Sequence, residues 1–538
     1  MLLSKSFNKI NIKRLSTLKK KIMTCKKLAP VGITDKNINE NVVKLQYAVR
    51  GPIPSRAIEI EKDLKNKKEG KYAFSRTIRA NIGDAQAMGQ KPFTYVRQMI
   101  SAISLLSLES NHREALNYLP SDVVLRAKEI VDSMDGKSMG AYTNSTGIAR
   151  ISQNVQTYIH ERDAKGHGEL SKDIQNILKN QSESISGVVD MDDGFQSEHV
   201  FLSAGASAAI RTMLTLLIGS KNVKQSGIMI PVPQYPLYSA SIDEYNMKSI
   251  PYYLNESNGW SMEIEELERS LEQHKAKCTP RAIVVINPGN PTGNVLTLEN
   301  LVKIVQFAYK NNLIILSDEV YQYNVYDKNL KFYSMKSVVK ELGLPITLAS
   351  FHSISKGYFG ECGLRGGYCE LYNASDFTWN MIKKVLSVNL CPSTISQSVI
   401  DLLVNPPKKD EISFNQYYND MDAVLSELKL KAQMVTDKLN EIEGITCNPV
   451  KGAMYAFPQI QIPEKAILKA KELKVEPDSL YCMELLENHG VCVVPGSGFL
   501  QKPDTYHFRT TILPPKELLT EMLEIIKQFH YEFTKKYA

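Results

Sequence analysis

Lys356 is flanked by residue types suited to chemistry. It lies in the stretch Ser350–Gly367, SFHSISKGYFGECGLRGG, with Ser350, Ser353 and Ser355 before it, Gly357 directly after it and Arg365 nine residues on. A lysine attacks a carbonyl only as the neutral amine, which requires partial removal from water. Hydroxyls donate to phosphate oxygens, and a guanidinium forks onto two of them. The combination describes an amine nucleophile beside an anion clamp. A single lysine among 65 Lys and Arg is more often a solvated charge, so the rest of the chain has to support the assignment.

The elements that would position these groups are apolar runs ending in polar turns. Pro345–Ala349 reads as a short buried strand leading into the serines, and Gly366–Leu371 as the strand after Arg365. Val200–Leu202 runs into Ser203-Ala204-Gly205-Ala206-Ser207 and then a helix rich in Ala, Leu and Met. Backbone N–H groups at such a helix start suit a phosphate at Ala206 and Ser207, while a plain helix cap at Ser207 would read the same way. Gly227–Tyr238 ends in a proline-fixed turn presenting Tyr235, which either packs in the core or stacks on a flat ring. Ala282–Ile286 is apolar throughout, hence buried on both faces, and breaks into Asn287-Pro-Gly-Asn290-Pro-Thr-Gly293, where Asn290 keeps a free amide. Leu313–Ser317 delivers Asp318, Glu319 and Tyr321. A carboxylate there needs a positive partner, and a pyridinium nitrogen is one. Polar residues at the carboxyl ends of parallel strands are where open α/β sheets bind ligands. Arg509, alone among apolar residues of Tyr506–Leu513, calls for a carboxylate. Together these groups describe a pyridoxal phosphate (PLP) site.

The ordered set Asn290-Pro-Thr-Gly293, Asp318 with Tyr321, Ser353-x-Ser355-Lys356 and the late Arg509 resembles the class I aminotransferases of PLP fold type I. The stretches YAVRGPIPSRA, NIGDAQAMGQ, NPGNPTGNVL, SKGYFGECGLRGGY and FRTTILPP look like the alanine aminotransferase branch. The resemblance implies that Lys356 binds PLP covalently and shuttles a proton, and that Asp318 pairs with the ring nitrogen. It implies that Tyr321 and Asn290 hold the phenolic oxygen and that Tyr235 stacks on the ring. Ala206, Ser207, Ser353, Ser355 and Arg365 would hold the phosphate, and Arg509 the substrate α-carboxylate. Gly83, in RTIRANIGDAQAMGQ, is a candidate backbone contact to the substrate. Tyr142 is the candidate for a tyrosine that reaches the neighbouring subunit's phosphate, which implies a homodimer. The implied reaction moves the amino group of L-alanine to 2-oxoglutarate, giving pyruvate and L-glutamate by a reversible ping-pong cycle through pyridoxamine phosphate. No second arginine stands out for the distal carboxylate of 2-oxoglutarate. A lyase or synthase of the aminocyclopropane-carboxylate synthase kind would share Lys356, Asp318 and Arg509, and another amino-acid donor would leave the motifs unchanged. A binding or regulatory module of the same fold would be expected to lose Lys356 or Asp318. An NAD-dependent enzyme is disfavoured because no G-x-G-x-x-G follows a first strand.

Composition narrows the class. The chain has 538 residues, 43% hydrophobic and 23% charged, and no uninterrupted apolar span of membrane length. Its net charge of +7 arises from residues 1–34, which carry +9 with no acid, leaving the rest at about −2. A nucleic-acid partner is therefore not indicated. The basic, acid-free, serine-containing leader reads as a mitochondrial transit peptide to the matrix, or is largely lost with cytoplasmic residence if translation starts at Met23. Eight scattered cysteines without a C-x-x-C pair indicate reduced thiols and no metal site.

The expected architecture is α/β: a large domain, 141–400, with a mostly parallel seven-stranded sheet flanked by helices, and a smaller α+β domain. The small domain draws on the N-terminal arm, 35–140, and on 401–538. There the sequence suggests a long helix from Leu403 to about Leu439 and strands at Gly452–Pro458, Gly490–Leu500 and Tyr506–Leu513.

Overall fold

Seven runs of buried, largely β-branched and aliphatic residues form the central sheet of the computed structural model, which describes residues 37–45, 47–66, 71–181, 198–219 and 224–538. The predicted transit segment, 1–34, lies outside the described residues. The chain divides into two units, Met1–Lys44 and Leu45–Ala538. In the first, the described part carries the helix Glu40–Lys44, with Lys44 paired to Glu40 at 3.8 Å. The sheet and everything that follows belong to the second.

The strands are β1 (Glu198–Ser203), β2 (Ser226–Val232), β3 (Lys248–Tyr253), β4 (Thr279–Ile286), β5 (Ile314–Asp318), β6 (Leu348–Ser353) and β7 (Gly367–Tyr372). Their order across the sheet is β1-β7-β6-β5-β4-β2-β3. Strands β2 to β6 are mutually parallel, whereas β7 runs antiparallel to both β6 and β1. Both faces are covered. Along β4, Ile283 and Val285 pack into one apolar cluster with the helices Ile264–Lys275, Leu298–Lys310 and Met335–Leu342, while Ala282, Val284 and Ile286 pack into another with the helix Ala206–Leu216. Burial on both sides is why these strands read as unbroken apolar runs.

The C-terminal part adds β8 (Ile445–Thr446) paired with β10 (Gln459–Ile460). A three-stranded antiparallel sheet has β12 (Phe508–Thr511) between β11 (Val494–Pro495) and β9 (Tyr455–Ala456). No helix among the described residues is long and apolar enough to cross a membrane.

Several sequence expectations shift. The strand expected at Pro345–Ala349 begins at Leu348 and runs to Ser353. Ser350 joins it because its backbone pairs with both β5 and β7, and His352 because it pairs with Tyr368 on β7, a tertiary contribution that an apolar-run reading misses. The single long helix from Leu403 is two helices, Thr394–Val404 and Phe414–Asn440, separated by a turn containing Pro406 and Pro407, neither of which can donate a helix hydrogen bond. The C-terminal strands are shorter than expected, and Gly496–Phe499 is a 3₁₀ turn rather than strand.

Gly367 closes the contact between the sheet and the helix Ala206–Leu216. A Cβ there would stand 2.6 Å from Ala206 N, 2.7 Å from Gly205 C and 2.8 Å from His352 O, all backbone atoms. Gly367→Ala is expected to lower stability by about 1–3 kcal/mol, the usual cost of overpacking a core. A urea midpoint unchanged from wild type would show that the backbone yields there.

Candidate active site

The carboxyl ends of the parallel strands all open on one edge of the sheet. Because β7 is antiparallel, the residues preceding it, including Arg365, arrive at that edge too. A cavity of about 860 Å³ lies there. It is lined by Gly83, Ala206, Ser207, Tyr235, Asn290, Asp318, Tyr321, Ser353, Ser355, Lys356, Arg365 and Arg509, which brings together residues far apart in sequence. Tyr142 is not among the lining residues and is 73% exposed.

Asp318 terminates β5, and its register partners are Ile286 on β4 and Phe351 on β6. It is 4% exposed. Burial pushes its carboxyl up from the ordinary range to about 6, against the hydrogen bonds it accepts from Tyr238 and Val320 N. Tyr238 Oη donates at 3.0 Å and Val320 N at 3.4 Å. No lysine, arginine or histidine pairs with Asp318 among the described residues. Lys356, after β6, donates from Nζ to Gly83 O at 2.5 Å.

Beside the start of the helix Ala206–Leu216, Arg365 Nη1 donates to Ser355 Oγ at 3.3 Å and to Cys362 O at 3.1 Å, and Nη2 to Ala204 O at 3.3 Å. Gly205 has φ +82, and a Cβ on it would lie 2.5 Å from Arg365 Nη2, so the turn that brings backbone N–H groups beside the guanidinium admits only glycine. The helix Ala206–Leu216 starts at this point and presents its unsatisfied amides. Ser353 donates to Gly366 O at 3.0 Å and accepts from Ser355 N at 3.1 Å, so its hydroxyl shapes the turn, leaving Ser355 as the more available donor.

Arg509, on β12, is 1% exposed. Its Nη1 donates to Asn290 Oδ1 at 3.3 Å and its Nη2 to Asn81 O at 2.8 Å. Its buried Nε has no hydrogen-bond partner among the described residues. Tyr235 joins its hydroxyl to that of Tyr47 at 2.8 Å.

These features fit PLP. A buried carboxylate without a cation suits a ring N–H, a lysine amine opens into the cavity, and a guanidinium, a serine and a helix start suit a phosphate. A separate buried arginine with an unmet N–H remains for a substrate carboxylate.

Sequence reading missed Tyr238, Tyr455, Tyr47 and Asn81. Tyr238 lies one helical turn beyond Tyr235, at a spacing that a helix start at Leu237 makes meaningful. Tyr455 sits in a stretch read only as a strand, and Tyr47 and Asn81 carry no signal beyond their neighbourhood. Arg50 and Arg79 also line the cavity, which alters the expectation that no second arginine is available. Arg79 is held by both oxygens of Glu61, whereas Arg50 is exposed and takes part in no ion pair among the described residues.

Residues 162–526 match the family described as aminotransferase class I and II. Alanine aminotransferase 1 of Bos taurus is 45% identical over 94% of this chain and 96% of the bovine protein. The Dictyostelium discoideum protein named probable alanine aminotransferase, mitochondrial, is 44% identical over 94% of this chain and 90% of its own length. Among solved structures, an alanine aminotransferase from Pyrococcus furiosus superposes with a TM-score of 0.65 at 23% identity, covering 92% of this chain and 100% of that one, which supports the fold. The sheet, the convergent cavity and these likenesses agree: the chain belongs to the class I and II aminotransferases, in the alanine aminotransferase branch.

Proposed function

We propose that the protein transfers the amino group of L-alanine to 2-oxoglutarate with PLP as cofactor. The observation that carries this reading is the placement of Lys356, Asp318 and Arg509 in one cavity, in a chain 45% identical to an alanine aminotransferase. PLP, when bound, supplies the electron sink for a carbanion at the substrate Cα.

The chain's residues do the rest. Arg509 binds the α-carboxylate with its remaining N–H groups. Lys356 Nζ takes and returns the Cα proton, a role suited to an amine held beside a carbonyl oxygen rather than a carboxylate. Asp318 holds a proton on the ring nitrogen. Asn290, whose Oδ1 accepts from Arg509, keeps its Nδ2 to donate to the phenolic oxygen together with Tyr321. Ala206, Ser207, Ser355 and Arg365 bind the phosphate, with Ser353 fixing their turn, and Tyr235 covers the ring. Gly83 meets the substrate through its backbone. In a homodimer the exposed Tyr142 of one protomer would extend towards the phosphate of the other. Residues 1–34 direct the chain to mitochondria, a reading supported by the name of the Dictyostelium relative. The test of that address is imaging of the full chain beside one that starts at Met23.

The deciding experiment adds L-alanine to the PLP-loaded protein without a keto acid. Loss of the cofactor's resting absorbance with one pyruvate per site is expected, reversed by 2-oxoglutarate and absent in Lys356→Ala. Release of ammonia or of an elimination product would favour the lyase reading, and a response to another amino acid alone would move the substrate.

Arg50 lines the cavity and takes part in no ion pair among the described residues, and we assign it to the distal carboxylate of 2-oxoglutarate and L-glutamate. Arg50→Gln is expected to raise KM about 10-fold or more for those two five-carbon substrates and to leave KM for L-alanine within about 2-fold, in line with loss of one charge-assisted contact. Equal changes for all substrates would remove Arg50 from this role.

Without cofactor, Asp318 is a buried acid whose proton affinity is raised by the fold. The folded state then holds more protons than the unfolded state between about pH 4 and pH 6, so this group's contribution falls as pH rises through that window and its cost is complete above it. Cofactor-free Asp318→Asn is therefore expected to be more stable than wild type at pH 8, by up to about 3 kcal/mol, with the gap closing near pH 4. The same variant would lose most activity when loaded. Urea titrations at both pH values check the sign, and a variant less stable at pH 8 contradicts it.

A further inference from the structure

Tyr455 and Phe499 lie against the guanidinium of Arg509. Arg509 Cζ is 4.1 Å from the centre of the Tyr455 ring and 4.7 Å from that of Phe499. The rings come from opposite flanks of β12. β12 is the middle strand of its sheet, Tyr455 belongs to β9 on one flank, and Phe499 ends the turn that follows β11 on the other. All three side chains are buried.

Both rings are themselves held. Phe499 meets Phe457 edge-on at 5.9 Å, and Phe457 stacks flat on His507 at 4.7 Å. Tyr455 meets Tyr321 edge-on at 6.2 Å, and its hydroxyl fills the open side of Gly83, where a Cβ would stand 1.8 Å from it. Asn290 and Asn81 accept from two nitrogens of Arg509, at 3.3 Å and 2.8 Å, and with one of the two bonds long they hold the tilt of the guanidinium plane only loosely. Aromatic faces do set it, because the planar cation prefers to lie over them and the attraction is strongest away from water.

We propose that Tyr455 and Phe499 form an aromatic clamp that orients Arg509 for the substrate α-carboxylate, making both positioning residues. The proposal rests on Arg509 as the carboxylate site. An arginine free to tilt would still carry its charge, yet it would present its N–H pair to the carboxylate only part of the time. Every substrate of the reaction has an α-carboxylate, so the clamp would act on all of them alike.

The test measures the dissociation constant of 2-methylalanine on the PLP-loaded full chain from the cofactor absorbance. This probe has the carboxylate and amine but no Cα hydrogen to transfer. Tyr455→Leu is expected to weaken binding about 10-fold, and Tyr455→Phe, which keeps the ring, by less than about 3-fold. In an Arg509→Gln background the leucine change should add less than about 2-fold, since the clamp then has nothing to orient. An equal loss from Tyr455→Leu in both backgrounds, or a Tyr455→Phe loss as large as that of leucine, overturns the clamp. If Tyr455→Leu does not fold, Phe499→Leu replaces it in the same cycle with the same expectations. Unchanged binding in Arg509→Gln alone would instead overturn the assignment of Arg509 beneath the proposal, an outcome read separately from the clamp.

Discussion

The buried carboxylate of Asp318 is the constraint around which the sheet edge is arranged. Two acids occur in succession at the end of β5, and both are almost fully buried. Glu319 lies near Arg162 Nη1 at 3.6 Å and accepts from Met335 N at 2.9 Å and Ser317 Oγ at 3.0 Å; burial, only partly offset by Arg162, raises its carboxyl to about 7. Among the described residues, Asp318 has a phenol and one amide as donors. One acid has a cation beside it, and the other has none among the described residues. Such a charge is costly to retain unless something outside the chain completes it. The asymmetry between neighbours on one strand is a sharper functional mark than either acid alone.

The topology turns that constraint into a site. Parallel strands deliver their carboxyl ends to one edge, and a single antiparallel strand, β7, allows a chain that has just left that edge at Lys356 to re-enter the sheet from it through Arg365. The amine and the anion clamp can then lie within one short segment without a crossover helix between them. A separate small sheet brings Arg509 against Asn290 in the loop that follows β4, so this part of the cavity is built from three distant parts of the chain: Asn81, Asn290 and Arg509.

Much of this was legible in the sequence for a simple reason. Strands covered on both faces must be apolar throughout, so a polar residue at their end marks the sheet edge. Asp318, Asn290, Ser353, Ser355 and Lys356 all announce themselves in this way, and Arg509 stands out because a guanidinium rarely occurs in an apolar run. The prolines after Val404 were equally visible but were overridden by the helical pattern on either side, which merged two helices into one.

The order of strand ends, the residue types they present and the need for a counter-charge at Asp318 are all readable from the linear chain. Partnership is not, and it came with folding. Tyr238 is one tyrosine among 26 until its hydroxyl is found on Asp318, and Tyr455 is a strand residue until its ring is found under Arg509. The extension of β6 through Ser350, paired on both sides, and His352, paired with β7, follows from its neighbours, not from composition. Apolar periodicity records which surfaces are buried, because burial acts on each residue separately. Hydrogen bonds and ring contacts depend on pairs, and pairs separated by hundreds of residues are set only when the chain has folded.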